Sequence, residues 1–190
     1  MKVIFLDIDG VLNVSETYDR IDSENKLNGT KKIYIDEFRV QYLSEIVKRT
    51  GAEIVLSSSL SGMFKKVDGK VVARNNHFAP QFVSILAKYG LYLYDIIPKV
   101  DSDNNYLDKG EAIKSWLSNH LDVENFVILD DSTVEFMDFV GTNLIKLNNL
   151  EIGEIIRDMS NYIGLGEEHI DEAVSILNNK EVCRVRRRTR

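Results

Sequence analysis

Two apolar runs, each closed by a pair of acidic residues, constrain this chain more than any other feature. Val3-Ile4-Phe5-Leu6 stops at Asp7, with Asp9 and Gly10 just beyond, and Phe126-Val127-Ile128-Leu129 stops at Asp130-Asp131. A short run that is apolar at every position suits a strand buried on both faces, as in a parallel sheet covered by helices on each side. In such sheets, loops and helix N-termini with free N–H groups meet beyond the carboxyl ends of the strands, and ligands bind there. Both acid pairs are therefore predicted to sit on one rim.

The rest of the chain repeats the alternation. Ile54-Val55-Leu56 is a third buried run, closed by Ser57-Ser58-Ser59. Before it, Phe38, Val40, Leu43, Ile46 and Val47 recur at helical spacing between an N-cap at Asp36 and a stop at Gly51. Glu37 in the first turn and Lys48 and Arg49 in the last suit the helix dipole. The pattern then predicts a helix over 81–89, a strand over 91–97 and a helix over 111–121 with Lys109 and Gly110 at its opening. A short strand over 144–147 and a last helix through Ile170, Ala173, Val174 and Leu177 complete it. Strands alternating with helices predict an α/β fold, a doubly wound and mostly parallel Rossmann-like sheet. Asn28-Gly29 and Asp68-Gly69 favour hairpin turns, so residues 15–35 and 64–73 are expected to form small hairpin flaps or plain loops, with no large cap domain.

Composition sets outer bounds. With 190 residues and 44% hydrophobic content, the chain can bury the core of a single compact domain. The formal charge is -6, but Arg184, Arg186, Arg187, Arg188 and Arg190 crowd the end, and taking those five away leaves -11 on residues 1–183. A single domain over 1–183 with a basic, disordered tail over 184–190 is expected. So acidic a body is not a general nucleic-acid binder, which would need basic phosphate contacts. Cys183 stands alone, which excludes an internal disulfide and a cysteine zinc site. The opening apolar run is broken by Asp7 and Asp9, so neither a signal peptide nor a membrane span is read there. A cytoplasmic protein is expected, with no membrane and no obligate protein partner evident.

Four acids meeting at one rim repel one another, and leaving them unpaired in a partly buried place costs several kcal/mol, so a cation is implied. Any one of these aspartates is explained by itself as a strand-end or N-cap residue; two pairs at two strand ends are not. Hard oxygen ligands without His or Cys select magnesium. Lys109 at a helix N-terminus opposes the dipole, and a bound phosphate would reconcile them.

At this point the residues resemble a known family. Phe5-Leu6-Asp7-Ile8-Asp9-Gly10-Val11-Leu12 is similar to the first signature, hhhDxDGxh, of the haloacid dehalogenase (HAD) superfamily of phosphohydrolases. Ile54-Val55-Leu56-Ser57 resembles its second, Lys109 its third, and Val127-Ile128-Leu129-Asp130-Asp131 its fourth in the adjacent-acid form. More narrowly, the stretch from Ala52 to Ser59 and the later Ile128-Leu129-Asp130-Asp131 strand resemble the small HAD domain found alone and within RNA repair proteins. Where that subgroup commonly has a Trp-Arg pair after its serines, this sequence has Leu60-Ser61.

The resemblance implies a HAD fold and a magnesium-dependent phosphoric monoester hydrolase. Asp7 would be the nucleophile and Asp9 the general acid and base. Ser57, Ser58 and Lys109 would bind the phosphate, while Asp7, the main-chain carbonyl of Asp9, and Asp130 would hold Mg2+, with Gly10 and Asp131 supporting them. The substrate would be a phosphorylated small molecule or nucleotide, a phosphoprotein, or a nucleic-acid end. A catalytically silent phospho-ligand-binding fold and a receiver-type phospho-switch are the alternatives. His77 and His120 are expected at the surface, Trp116 in the core, and Tyr92 and Tyr94 in a strand.

Overall fold

The computed structural model describes residues 1–179. Strands β1 (Lys2–Leu6), β2 (Glu53–Leu56), β5 (Leu93–Ile96), β6 (Asn125–Asp130) and β7 (Leu144–Lys146) form one sheet in the order β5-β2-β1-β6-β7, with every pairing parallel. Strands β3 (Phe64–Val67) and β4 (Lys70–Ala73) form a separate antiparallel hairpin. The helices are α1 (Ser15–Asn28), α2 (Glu37–Thr50), α3 (Ala79–Lys88), α4 (Lys109–Ser118) and α5 (Glu168–Asn178).

The all-apolar strands are explained by two cores. Ile4 and Leu6 of β1 point to one face with Ile54, Leu56, Val127 and Leu129, under Leu43 and Ile46 of α2, Phe82 of α3 and Ala173 and Leu177 of α5. Val3 and Phe5 point to the other with Val55, Phe126 and Ile128, under Ile113 and Trp116 of α4 and Phe136 and Phe139 of a short 3-10 segment. Alternate side chains of one strand leave the sheet on opposite sides, so a strand covered twice must be apolar throughout. Phe5 meets Trp116 and Phe126 edge-on at 5.4 and 5.7 Å between ring centroids, the favoured offset of aromatic quadrupoles.

Chain order places the site. From β1 the chain moves outward to β2 and β5, then crosses to β6 on the other side of β1 and on to β7. The connections from the ends of β1 and β6 thus diverge, which opens a crevice at their carboxyl ends.

Residues 15–28 are a helix, and Asn28-Gly29 is its end, with Gly29 in the left-handed region at φ 62°. Asn-Gly serves a left-handed helix cap as well as a hairpin turn. The apolar periodicity that would have distinguished them is nearly absent, since only Thr17 and Ile21 of α1 are buried. Asp36 occupies the N-cap position of α2, yet its side chain does not cap; it accepts from Thr17, Arg20 and Arg39.

The second dipeptide does make a hairpin. Asp68 and Gly69 have φ of 48° and 77°, the two positive values a tight antiparallel turn requires. This hairpin lies beside β5, where Lys66 donates to Asp95 at 2.8 Å and Trp116 Nε1 donates to the same oxygen at 3.1 Å. Burial pushes the Asp95 carboxyl up, but Lys66, the Ile96 N–H and Trp116 together hold it below its ordinary value. His120, expected at the surface, is partly buried and stacks on Trp116 at 3.6 Å between centroids. The arginine-rich segment over 184–190 and Cys183 lie outside the described residues.

Candidate active site

Asp7 follows the last paired residue of β1. Its N–H still donates to the Leu129 carbonyl at 3.0 Å, so the ladder to β6 fixes its backbone, and its Oδ1 accepts the Ile8 N–H at 2.7 Å. Ser57 follows β2 in the same way, donating its N–H to Leu6 at 2.8 Å. Asp130 ends β6 and is wholly buried, with Oδ1 accepting the Ser132 N–H at 2.8 Å. Register alone therefore brings the ends of three strands together.

Lys109 arrives from α4. Asp108 caps that helix by accepting the Glu111 N–H at 2.7 Å, while Glu111 accepts the Asp108 N–H at 3.2 Å, a reciprocal box that fixes where the helix begins. Gly110 lets the first turn approach closely, because a Cβ there would lie 2.1 Å from the Glu135 carbonyl oxygen. Lys109 Nζ then donates to Asp130 Oδ2 at 2.9 Å and also to Asp7 Oδ2. Burial disfavours the ammonium, but Asp130 and Asp7 outweigh it and hold its pKa above the ordinary lysine value.

One cation does not balance the acids. Asp7, Asp130 and Asp131 each offer an oxygen, all within 4.8 Å of one another. Burial, opposed by Lys109 and reinforced by Asp7 and Asp131, drives the Asp130 carboxyl well above its ordinary value. Burial and Asp7 push Asp131 up to about 6. Both shifts arise first from burial and then from the neighbouring carboxylates, and a divalent cation would offset both. Oxygen-only donors suit Mg2+. Asp131 stands within this carboxylate group, whereas the Asp9 carboxyl is not one of the three.

Asp9 Oδ1 accepts the Asn13 side-chain amide at 3.0 Å and the Tyr18 hydroxyl at 3.3 Å. Asn13 also accepts the Gly10 N–H at 2.9 Å, which closes the turn after β1. Gly10 has φ 70°, and a Cβ there would sit 2.6 Å from Asp131 Cβ, so both the turn and the close approach of the second acid pair require glycine. Asn148 supports Asp131 by donating to its carbonyl. Burial first, then Asp9, raises the Tyr18 phenol, and burial with Asp131, Asp9 and Asp7 raises Tyr162.

Ser57 Oγ is buried without a hydrogen-bond partner, one of two such side-chain atoms among the described residues. It lines a cleft of about 260 Å³ together with Ser58, Ser59, Lys99, Tyr106 and Lys109. Ser58 Oγ accepts the Leu60 N–H at 3.2 Å. A buried hydroxyl left unmatched costs about 1–3 kcal/mol and persists where something else completes it.

The family model for the HAD domain in Swiss Army Knife RNA repair proteins matches residues 3–151. The chain belongs to this family. The matched span begins in β1 and ends just after β7, so it contains the parallel sheet from Val3 onward and the four stretches that resemble the HAD signatures. No curated protein and no solved structure matches the chain at a significant level. Among the described residues, no helix is long and apolar enough to cross a membrane. The positions that sequence reasoning missed, Asn13, Tyr18, Asn148 and Tyr162, all lie outside those four signatures. Only Asn13, three residues after Gly10, offered a local signal, as a turn-closing side chain.

Proposed function

We propose that this HAD domain is a magnesium-dependent phosphatase acting on a phosphate monoester, with a nucleic-acid end as its substrate. The observation that carries this reading is the pairing of Lys109 with both Asp7 and Asp130 beside the unpartnered Ser57 hydroxyl. Lys109 and the Ser57 hydroxyl line one small cleft, and Lys109 also holds the proposed nucleophile Asp7.

Asp7 Oδ attacks phosphorus, forming an aspartyl-phosphate as the bond to the leaving oxygen breaks. Asp9 gives its proton to that oxygen and takes one back from the water that later cleaves the aspartyl-phosphate, which restores Asp7. Ser57 donates to the phosphoryl oxygens, Ser58 lies beside it, and Lys109 neutralises charge there. Asp7, the Asp9 main-chain carbonyl and Asp130 would hold Mg2+, with Asp131 adding a third nearby carboxylate. Bound there, the ion supplies positive charge that lets an anionic nucleophile approach an anionic ester.

The substrate class is supported by the family's RNA repair setting and by the cleft itself. Among the described residues no large cap closes over it, so a polymer end can enter. Where the related domains carry Trp-Arg, Leu60-Ser61 offers no cation, but Lys99 reaches the Ser59 carbonyl at 3.4 Å and is placed to meet a neighbouring phosphate. A panel of 3′- and 5′-phosphorylated oligonucleotides, mononucleotides, sugar phosphates and phosphopeptides, assayed with Mg2+, tests the reading. Fastest release from an oligonucleotide end is expected. Release only from small esters would reject the substrate, and no release at all would favour a silent phospho-ligand-binding domain.

A further inference from the structure

The carboxyl group of Asp9 is held from a helix that no signature contains. Helix α1 buries little of itself, yet Thr17 and Arg20 bind it to Asp36, and Tyr18 reaches from it to Asp9. The Tyr18 ring lies flat against Tyr34, with centroids 4.6 Å apart and planes 24° apart. Tyr34 in turn donates its hydroxyl to Asp22 of the same helix at 2.8 Å. Tyr18 is thus a clamped donor.

We propose that Tyr18 is a positioning residue for proton transfer by Asp9, an inference that rests on the phosphatase reading above. A carboxylic acid has two oxygens and one proton. Oδ1 already accepts from Asn13 and Tyr18, which leaves Oδ2 as the oxygen through which a proton can pass. When Asp7 bonds to phosphorus, Oδ2 passes this proton to the departing oxygen as its bond to phosphorus breaks. When water attacks the aspartyl-phosphate, Oδ2 takes the water's proton as the bond to Asp7 breaks. Tyr18 loses no proton in either step; it keeps Oδ1 an acceptor and stops the carboxyl group from turning over.

Positioning of the acid matters in proportion to how badly the leaving oxygen needs a proton. An alkyl phosphate leaves as a strongly basic alkoxide unless protonated, whereas p-nitrophenolate departs unaided. kcat/KM reports events through departure of the leaving group, so the later hydrolysis common to both esters does not enter it. Tyr18→Phe is expected to lower kcat/KM for an alkyl phosphate by about tenfold or more, and that for p-nitrophenyl phosphate by about twofold or less. The ratio of the two, measured on one preparation, is independent of how much enzyme is folded. An unchanged ratio, whether both rates fall together or neither falls, would overturn the role of Tyr18. Wild-type protein inactive on both esters would instead reject the phosphatase reading.

Discussion

Lys109 donates to Asp130 Oδ2 at 2.9 Å from the first turn of α4, and it reaches Asp7 with the same ammonium. One side chain therefore ties the ends of β1 and β6 to a helix that covers one face of the sheet. Lys109→Met leaves two buried carboxylates without their cation, a loss of about 3–5 kcal/mol for a buried pair broken on one side. Urea unfolding should show that loss, with partial recovery on adding Mg2+. Wild-type stability in the variant without Mg2+ would mean the pairing contributes nothing.

Asp7→Asn keeps the shape of the side chain and removes the proposed nucleophile. Hydrolysis of an aryl phosphate is expected to fall by more than about a thousandfold, while the circular dichroism spectrum is unchanged. Retained turnover would assign the attack to another group.

At the proposed Mg2+ site, metal binding would compete with protonation of Asp131. Its pKa, raised to about 6 against an ordinary 3.8, means that the folded protein holds this proton more tightly than the unfolded chain does. The stabilisation from that proton is complete below about pH 3.8 and is lost as pH rises through about 6. A nearby ionised Asp131 would favour the proposed Mg2+, so the rise in Tm on adding Mg2+ should grow from about pH 5 to about pH 7. In Asp131→Asn this growth should shrink; an equal growth there would place the titration elsewhere.

Gly10→Ala combines two faults, a left-handed backbone and a methyl group 2.6 Å from Asp131 Cβ. Gly29→Ala has the first without the second, since nothing lies within 4 Å of its Cβ. Backbone strain alone costs about 1–2 kcal/mol. Gly29→Ala should lose about that much, and Gly10→Ala clearly more, together with weaker Mg2+ binding as Asp131 is displaced. Equal losses in chemical denaturation would show that Asp131 yields without cost.

Much of this was legible because burial on both faces leaves a strong trace. Val3–Leu6 and Phe126–Leu129 could be read as central strands since each must be apolar at every position, and the acids at their ends could be placed on one rim by the rule for parallel sheets. Helix α1 was not legible. Its residues contribute few buried contacts, and its C-terminal end carries a dipeptide that serves two structures equally.

By itself, the sequence determined the alternating architecture, the four signature positions and the excess of acid at the rim, because hydrophobic periodicity and strand-end polarity are local properties. Only the tertiary structure decided which acids share an environment. Asp131 joins Asp7 and Asp130, while the Asp9 carboxyl turns to Asn13 and Tyr18. That choice depends on strand register, on a glycine too small to hold Asp131 away, and on a helix held by Asp36, none of which leaves a periodic signal along the chain.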